Sequence, residues 1–125
     1  MPSNIVITAG TIRLEAELND TFTAQAIRNI LPLTAAANTW GDEIYFSIPM
    51  TLELENGQEV VEMGDLGYWP PGRAFCIFFG TTPASQGDEI RPASAVTVVG
   101  KVQGEVTTLK QVSAGEQVSI EAATE

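Results

Sequence analysis

Seven side chains have the types that recognise or transform a small molecule: Trp40, Glu43, Tyr45, Tyr68, Trp69, Arg73 and Phe79. Aromatic rings supply contact area, and a few polar groups among them orient what binds. Five of the nine aromatic residues fall within residues 64–83, beside one base, Arg73. That density predicts a core strand and one wall of a concave site. Pro70-Pro71-Gly72 is a rigid turn that sets where Trp69 and Arg73 point. In a site of this kind Arg73 would pair with a ligand carboxylate and Glu43 would orient a donor. Burial of Glu43 beside rings would raise its pKa, making Glu43, with Tyr45, a candidate general acid or base. The competing expectation is structural: Phe75, Ile77 and Phe79 fill the core, and Glu43 pairs with Arg73 or Arg91.

Other chemistries lack their residues. The chain has no histidine and one cysteine. Ser-His-Asp and Cys-His nucleophilic systems are excluded in their usual form, as are zinc sites built on His or on several Cys. The acidic pairs Asp42-Glu43 and Asp88-Glu89 offer oxygen ligands for a hard cation. Neighbours on a strand point to opposite faces, so solvated turn acids are expected and no metal. Gly67 to Ala74 mimics the glycine frame of a phosphate loop. Arg replaces its lysine, Ala replaces its metal-binding hydroxyl, and no helix follows. No cofactor is expected. Cys76, inside an apolar run, reads as an inert core thiol.

The elements that would position these residues are short strands. Ile12, Leu14, Ala16 and Leu18 alternate with Arg13, Glu15 and Glu17, and pair through Ala9-Gly10 with the strand at 5–8 as a hairpin. Asn19-Asp20-Thr21 offers capping side chains, Ala24, Ile27, Ile30 and Leu31 follow at helical spacing, and Pro32 stops the run. Ile44, Phe46 and Ile48 face one way and Glu43, Tyr45 and Ser47 the other. Leu52 and Leu54 alternate with Glu53 and Glu55, and Asn56-Gly57 signals a hairpin leading to Val60 and Met63. Residues 74–79 are apolar throughout, a strand covered on both faces. Strands are expected at 95–102 and 117–122, with a short helix over 105–112. Seven or eight strands with one or two helices predict a mainly β closed or nearly closed barrel, one domain over 1–125.

Charge narrows the partners. Sixteen acids against six bases leave a net charge of −10. Nucleic acid is a poor partner because no basic cluster exists to displace counterions. An anionic membrane is disfavoured for the same reason, and no run approaches the roughly 20 apolar residues that span a bilayer. No basic-then-apolar leader pattern opens the chain, so a cytoplasmic location is expected. A homo-oligomer built on the apolar faces is the rival use of these residues.

Three phrases carry a resemblance: Asn38-Thr39-Trp40-Gly41-Asp42-Glu43-Ile44-Tyr45-Phe46-Ser47, Gly64 to Pro83, and Arg91-Pro92-Ala93-Ser94-Ala95-Val96 to Gly100-Lys101. On these the chain resembles the cyclophilin-like family of small bacterial and archaeal proteins, similar in fold to peptidyl-prolyl isomerases and largely of unknown function. The resemblance implies a flattened eight-stranded barrel capped by one or two helices. In cyclophilins the similar stretch is Phe-His-Arg-Ile-Ile-Pro; here it is Ile44-Tyr45-Phe46-Ser47-Ile48-Pro49. Phe46 or Ser47 thus stands where an arginine stabilises the twisted amide. An X–Pro bond turns over a barrier of about 18–20 kcal/mol, and neither a phenyl ring nor a hydroxyl replaces a fixed guanidinium. The expected function is therefore a binding module for a small molecule or an extended peptide, without prolyl isomerase activity. The alternative is an isomerase or another acid–base enzyme using Glu43 and Tyr45.

Overall fold

The computed structural model describes residues 3–123. Strands β1 (Ser3–Ala9) and β2 (Ile12–Leu18) form the expected hairpin, turning at Gly10 with φ of +59°. That left-handed conformation is one that glycine adopts without strain. Helix α1 (Phe22–Asn29) starts where the Thr21 hydroxyl accepts from the Ala24 N–H at 3.0 Å. The chain then runs through β3 (Leu33–Ala36), β4 (Asn38–Thr39) and β5 (Glu43–Ser47). After a long excursion come β6 (Asp65–Trp69), β7 (Ala74–Phe78), β8 (Thr97–Gln103) and β9 (Gln117–Ala122).

All pairings are antiparallel, in the order β3-β9-β1-β2-β8-β6-β7-β5-β4. The two edges, β3 and β4, are consecutive in the chain and separated by Ala37 alone. One bent run therefore joins both ends of the sheet, which comes round into a nearly closed barrel. Counted as one stave, β3 and β4 reduce nine strands to the expected eight.

Two of the expected strands do not form, and two unexpected ones replace them. Residues 49–63 carry no strand, only single bridges from Gln58 to Val96 and from Val61 to Ile90. Asn56 does turn, with φ of +49°, but Leu54 and Val60 beside it stay exposed while Leu52 and Val61 pack into separate clusters, so no shared buried face rewards a ladder there. Side chains anchor the segment instead. The Tyr68 hydroxyl donates to Met50 O and accepts from Leu52 N, and Glu55 N donates to Thr97 Oγ1 at 2.8 Å. The strand at 33–39 and β6 take the vacant places. The segment 105–112 tightens into a 3-10 turn over Val106–Gln111, with Val106, Leu109 and Val112 buried as their spacing predicts.

The barrel interior holds Ile44, Phe46, Leu66, Tyr68, Phe75, Ile77 and residues from the other staves, with the Phe46 and Phe75 rings stacked at 5.6 Å. A smaller apolar cluster lies on the opposite face of β7, where Ala74, Cys76 and Phe78 meet Val61, Ile90 and Val96. Strand β7 is thus covered on both sides. The second cover is made by the segments around Val61 and 90–96, and it defines the candidate site.

Candidate functional site

Alternation along β5 separates the two clusters. Ile44 and Phe46 enter the barrel, whereas Glu43 and Tyr45 turn out toward the smaller cluster. A recess of about 230 Å³ opens there, walled by Trp40, Glu43, Tyr45 and Trp69, with Pro92, Ala93 and Val96 as its other side. Four of the seven side chains singled out from sequence share it.

The other three lie elsewhere. Tyr68 is fully buried inside the barrel, its hydroxyl committed to the 50–52 backbone, and Phe79 is buried in the same core. Strand alternation explains Tyr68: Trp69 faces out, so its neighbour faces in. Arg73 is exposed in a left-handed conformation after the Pro70–Gly72 turn and does not line the recess. Pro92, Ala93 and Val96 carry no chemical signal of their own; only their place in a loop folded back over β6 and β7 makes them walls.

Trp69 is held at both ends of its ring. Its Nε1 donates to Ser94 Oγ at 2.7 Å, tying β6 to the 90–96 loop. Its six-membered ring lies over Gly72, where a Cβ would sit 2.7 Å from Cζ3. Gly67 makes similar room, since a Cβ there would meet Phe78 and Val96 at 3.2 Å. Glycines at 67 and 72 thus let an indole and a loop close onto the sheet.

Glu43 is 6% exposed. Loss of hydration raises its pKa from 4.5 to about 7, and a hydrogen bond with the Cys76 side chain offsets part of that rise. Cys76 is pushed well above the ordinary thiol value by its own burial and by the adjacent carboxylate. It is a protonated core thiol, not a nucleophile. Arg91 is tied to Glu89 at 2.7 Å and reaches Glu59 at 3.9 Å, and Asp42 pairs with Lys110 at 3.6 Å. Neither arginine expected to neutralise Glu43 does so; of the acidic pairs, Asp42 meets Lys110 and Glu89 meets Arg91, while Glu43 is buried on β5 and is not the solvated turn acid expected.

Two larger depressions have charged walls. One, about 690 Å³, runs beside Arg13, Glu15, Arg28 and Glu121; the other, about 580 Å³, beside Glu17, Glu62, Asp65 and Lys101. In the second, Asp65 is buried and its pKa is raised chiefly by desolvation, while Lys101 stands 3.6 Å away. Water already solvates most of these groups, which leaves the smaller recess as the place where a buried acid meets aromatic walls.

The fold is a mainly β, nearly closed antiparallel barrel with a recess on its outer face. The cyclophilin-like family model matches residues 3–121, and the chain belongs to that family. The solution structure of a hypothetical protein from Archaeoglobus fulgidus is similar, with 43% identity and a TM-score of 0.81 over 97% of this chain and 95% of that one. No curated protein matches the chain. Among the described residues, no helix is long and apolar enough to cross a membrane.

Proposed function

We propose that this cyclophilin-like chain is a binding module that takes a small molecule, or one side chain of an extended peptide, into the recess beside Glu43. One observation carries the reading. Trp40, Tyr45 and Trp69 surround a carboxyl group that is nearly dry, and Trp69 is pinned in place before any ligand arrives. Preorganised aromatic walls with one orienting polar group are what a small site requires.

Prolyl isomerase activity does not belong to this reading. Phe46 packs in the barrel core, and the Ser47 hydroxyl donates to Gly72 O at 3.0 Å. No guanidinium lines the recess to steady a twisting amide. A protease-coupled assay on an Ala-Pro peptide should show no acceleration over background.

The test of binding is a small-molecule screen read by tryptophan fluorescence, repeated on Trp69→Ala. Hits that shift emission in the parent and lose affinity in the variant support the reading. An indole signal inaccessible to quencher, with no hit in the screen, would remove it.

A second reading, acid–base catalysis by Glu43, has its own support: the side chain is buried in the recess, and that burial raises its carboxyl pKa to about 7. A group that titrates near neutral pH both gives and takes protons efficiently. Turnover of an ester or amide panel that vanishes in Glu43→Gln would favour it over simple binding.

A further inference from the structure

We propose that the occupant of the recess is a small organic cation, an alkylated ammonium group held by the Glu43 carboxylate and by the rings of Trp40, Tyr45 and Trp69. The inference rests on the recess being a ligand site and narrows what enters it.

Charge is the first argument. None of the residues lining the recess is basic, and Glu43 is its one carboxylic acid. The neighbouring base, Arg91, is already paired with Glu89 and Glu59. An anionic ligand would therefore meet an uncompensated carboxylate at short range, in a chain of net charge −10. A cation would meet the reverse, and the surrounding field would raise its local concentration.

The walls give the second argument. The π face of an aromatic ring is negative, and a cation over it gains most when both are desolvated. Three such side chains around one carboxylate form a cage for positive charge. Pro92, Ala93 and Val96 close the other side with apolar surface, which favours alkyl groups over a bare, strongly hydrated ammonium. About 230 Å³ is the space of roughly eight waters, the scale of a compact head group.

Glu43 supplies the third. Its carboxyl is buried with the Cys76 thiol as hydrogen-bonding neighbour, and a thiol only weakly compensates an ionised carboxylate. A cation entering the cage would provide the missing counter-charge.

The experiment compares choline with 3,3-dimethylbutan-1-ol, its uncharged isostere, following the Trp40 and Trp69 indole N–H signals of the full chain by NMR. A third arm uses a short peptide bearing trimethyl-lysine, which separates a free cation from a peptide-borne one. The expected result is choline or the peptide binding at least tenfold more tightly than the isostere, with that preference lost in Glu43→Gln. Should Glu43→Gln fail to fold, Trp69→Leu serves instead: it removes the ring, keeps apolar bulk, and should weaken the cation more than the isostere. Equal affinity for choline and isostere, or a preference that survives Glu43→Gln, overturns the cation assignment and leaves the site standing. Indole signals that move with none of these probes overturn the assignment too. If they also stay fixed through the wider screen, the site falls with it.

Discussion

The Glu43 carboxyl of β5 and the Cys76 thiol of β7 form a diagonal pair on the outer face of the barrel, Glu43 standing opposite Phe78 and Cys76 opposite Tyr45. Both are buried; the carboxylate disfavours a charge on the thiol, whereas the thiol's hydrogen bond eases the charge on the carboxyl by less than burial opposes it. The pair concentrates the cost of keeping a polar group under the aromatic walls.

Stability should fall as pH rises through neutrality. Unfolded, Glu43 ionises near 4.5; folded, near 7. Between those values the native state holds a proton that the unfolded chain releases, so this group's contribution is whole below pH 4.5 and is lost as pH passes 7. At about 1.4 kcal/mol per pKa unit the loss is roughly 3 kcal/mol. Denaturant unfolding at pH 5 and pH 8 should show the decline in the parent and a flatter profile in Glu43→Gln. An equally steep decline in the variant would contradict the assignment.

Cys76 should be nearly inert in the folded protein. Its thiol is buried and held protonated by burial and by Glu43, and the thiolate is the reactive form. Iodoacetamide at pH 8 should label it quickly in denaturant and slowly without. Fast native labelling would mean that the outer cluster opens readily.

Glu55 should matter to α1 although it lies far from it in sequence. Its carboxylate accepts from the Phe22 and Thr23 N–H groups and from the Thr23 hydroxyl, caps that would otherwise be orphaned. Glu55→Ala should cost about 1 kcal/mol, as loss of a helix cap does. The Thr23 N–H, the largest influence, lowers the Glu55 pKa, so this contribution is lost as pH falls, opposite in sign to Glu43. A variant as stable as the parent at pH 7 would show the cap to be idle.

Gly100 should tolerate no side chain. Its neighbour across the β2–β8 ladder is Leu18, and a Cβ would run into the Glu17 carbonyl. Gly100→Ala should destabilise by about 1–3 kcal/mol, the usual cost of overpacking. An unchanged melting temperature would mean that the ladder yields.

The parts of the fold legible in the sequence are those with a clean period. The β1–β2 hairpin, the capped helix and the two-sided Ala74–Phe78 strand each announce themselves by alternation, spacing or continuous apolarity. Strand β6 does not, because Asp65 and Gly67 disfavour a strand locally and are tolerated for tertiary reasons: Gly67 admits Phe78 and Val96, and Asp65 accepts from Glu62 N at 2.8 Å. The 52–63 hairpin misled because its apolar residues do not share one buried face: Leu52 packs on the barrel core and Val61 in the outer cluster, while Leu54 and Val60 stay exposed. In the recess, Trp40, Glu43, Tyr45 and Trp69 could be gathered from residue type and the period of β5. Tyr68 could not be separated from Trp69 without knowing that β6 exists. The 92–96 wall rests on a loop folding back, which no local pattern records.

The most direct test of the central claim is a map of backbone and indole NMR shifts on saturating the protein with its best screening hit. Perturbations should converge on Trp40, Glu43, Tyr45, Trp69 and residues 92–96, from strands and loop together. Shifts confined to the groove beside Arg13, Arg28 and Glu121, with both indoles unmoved, would contradict it.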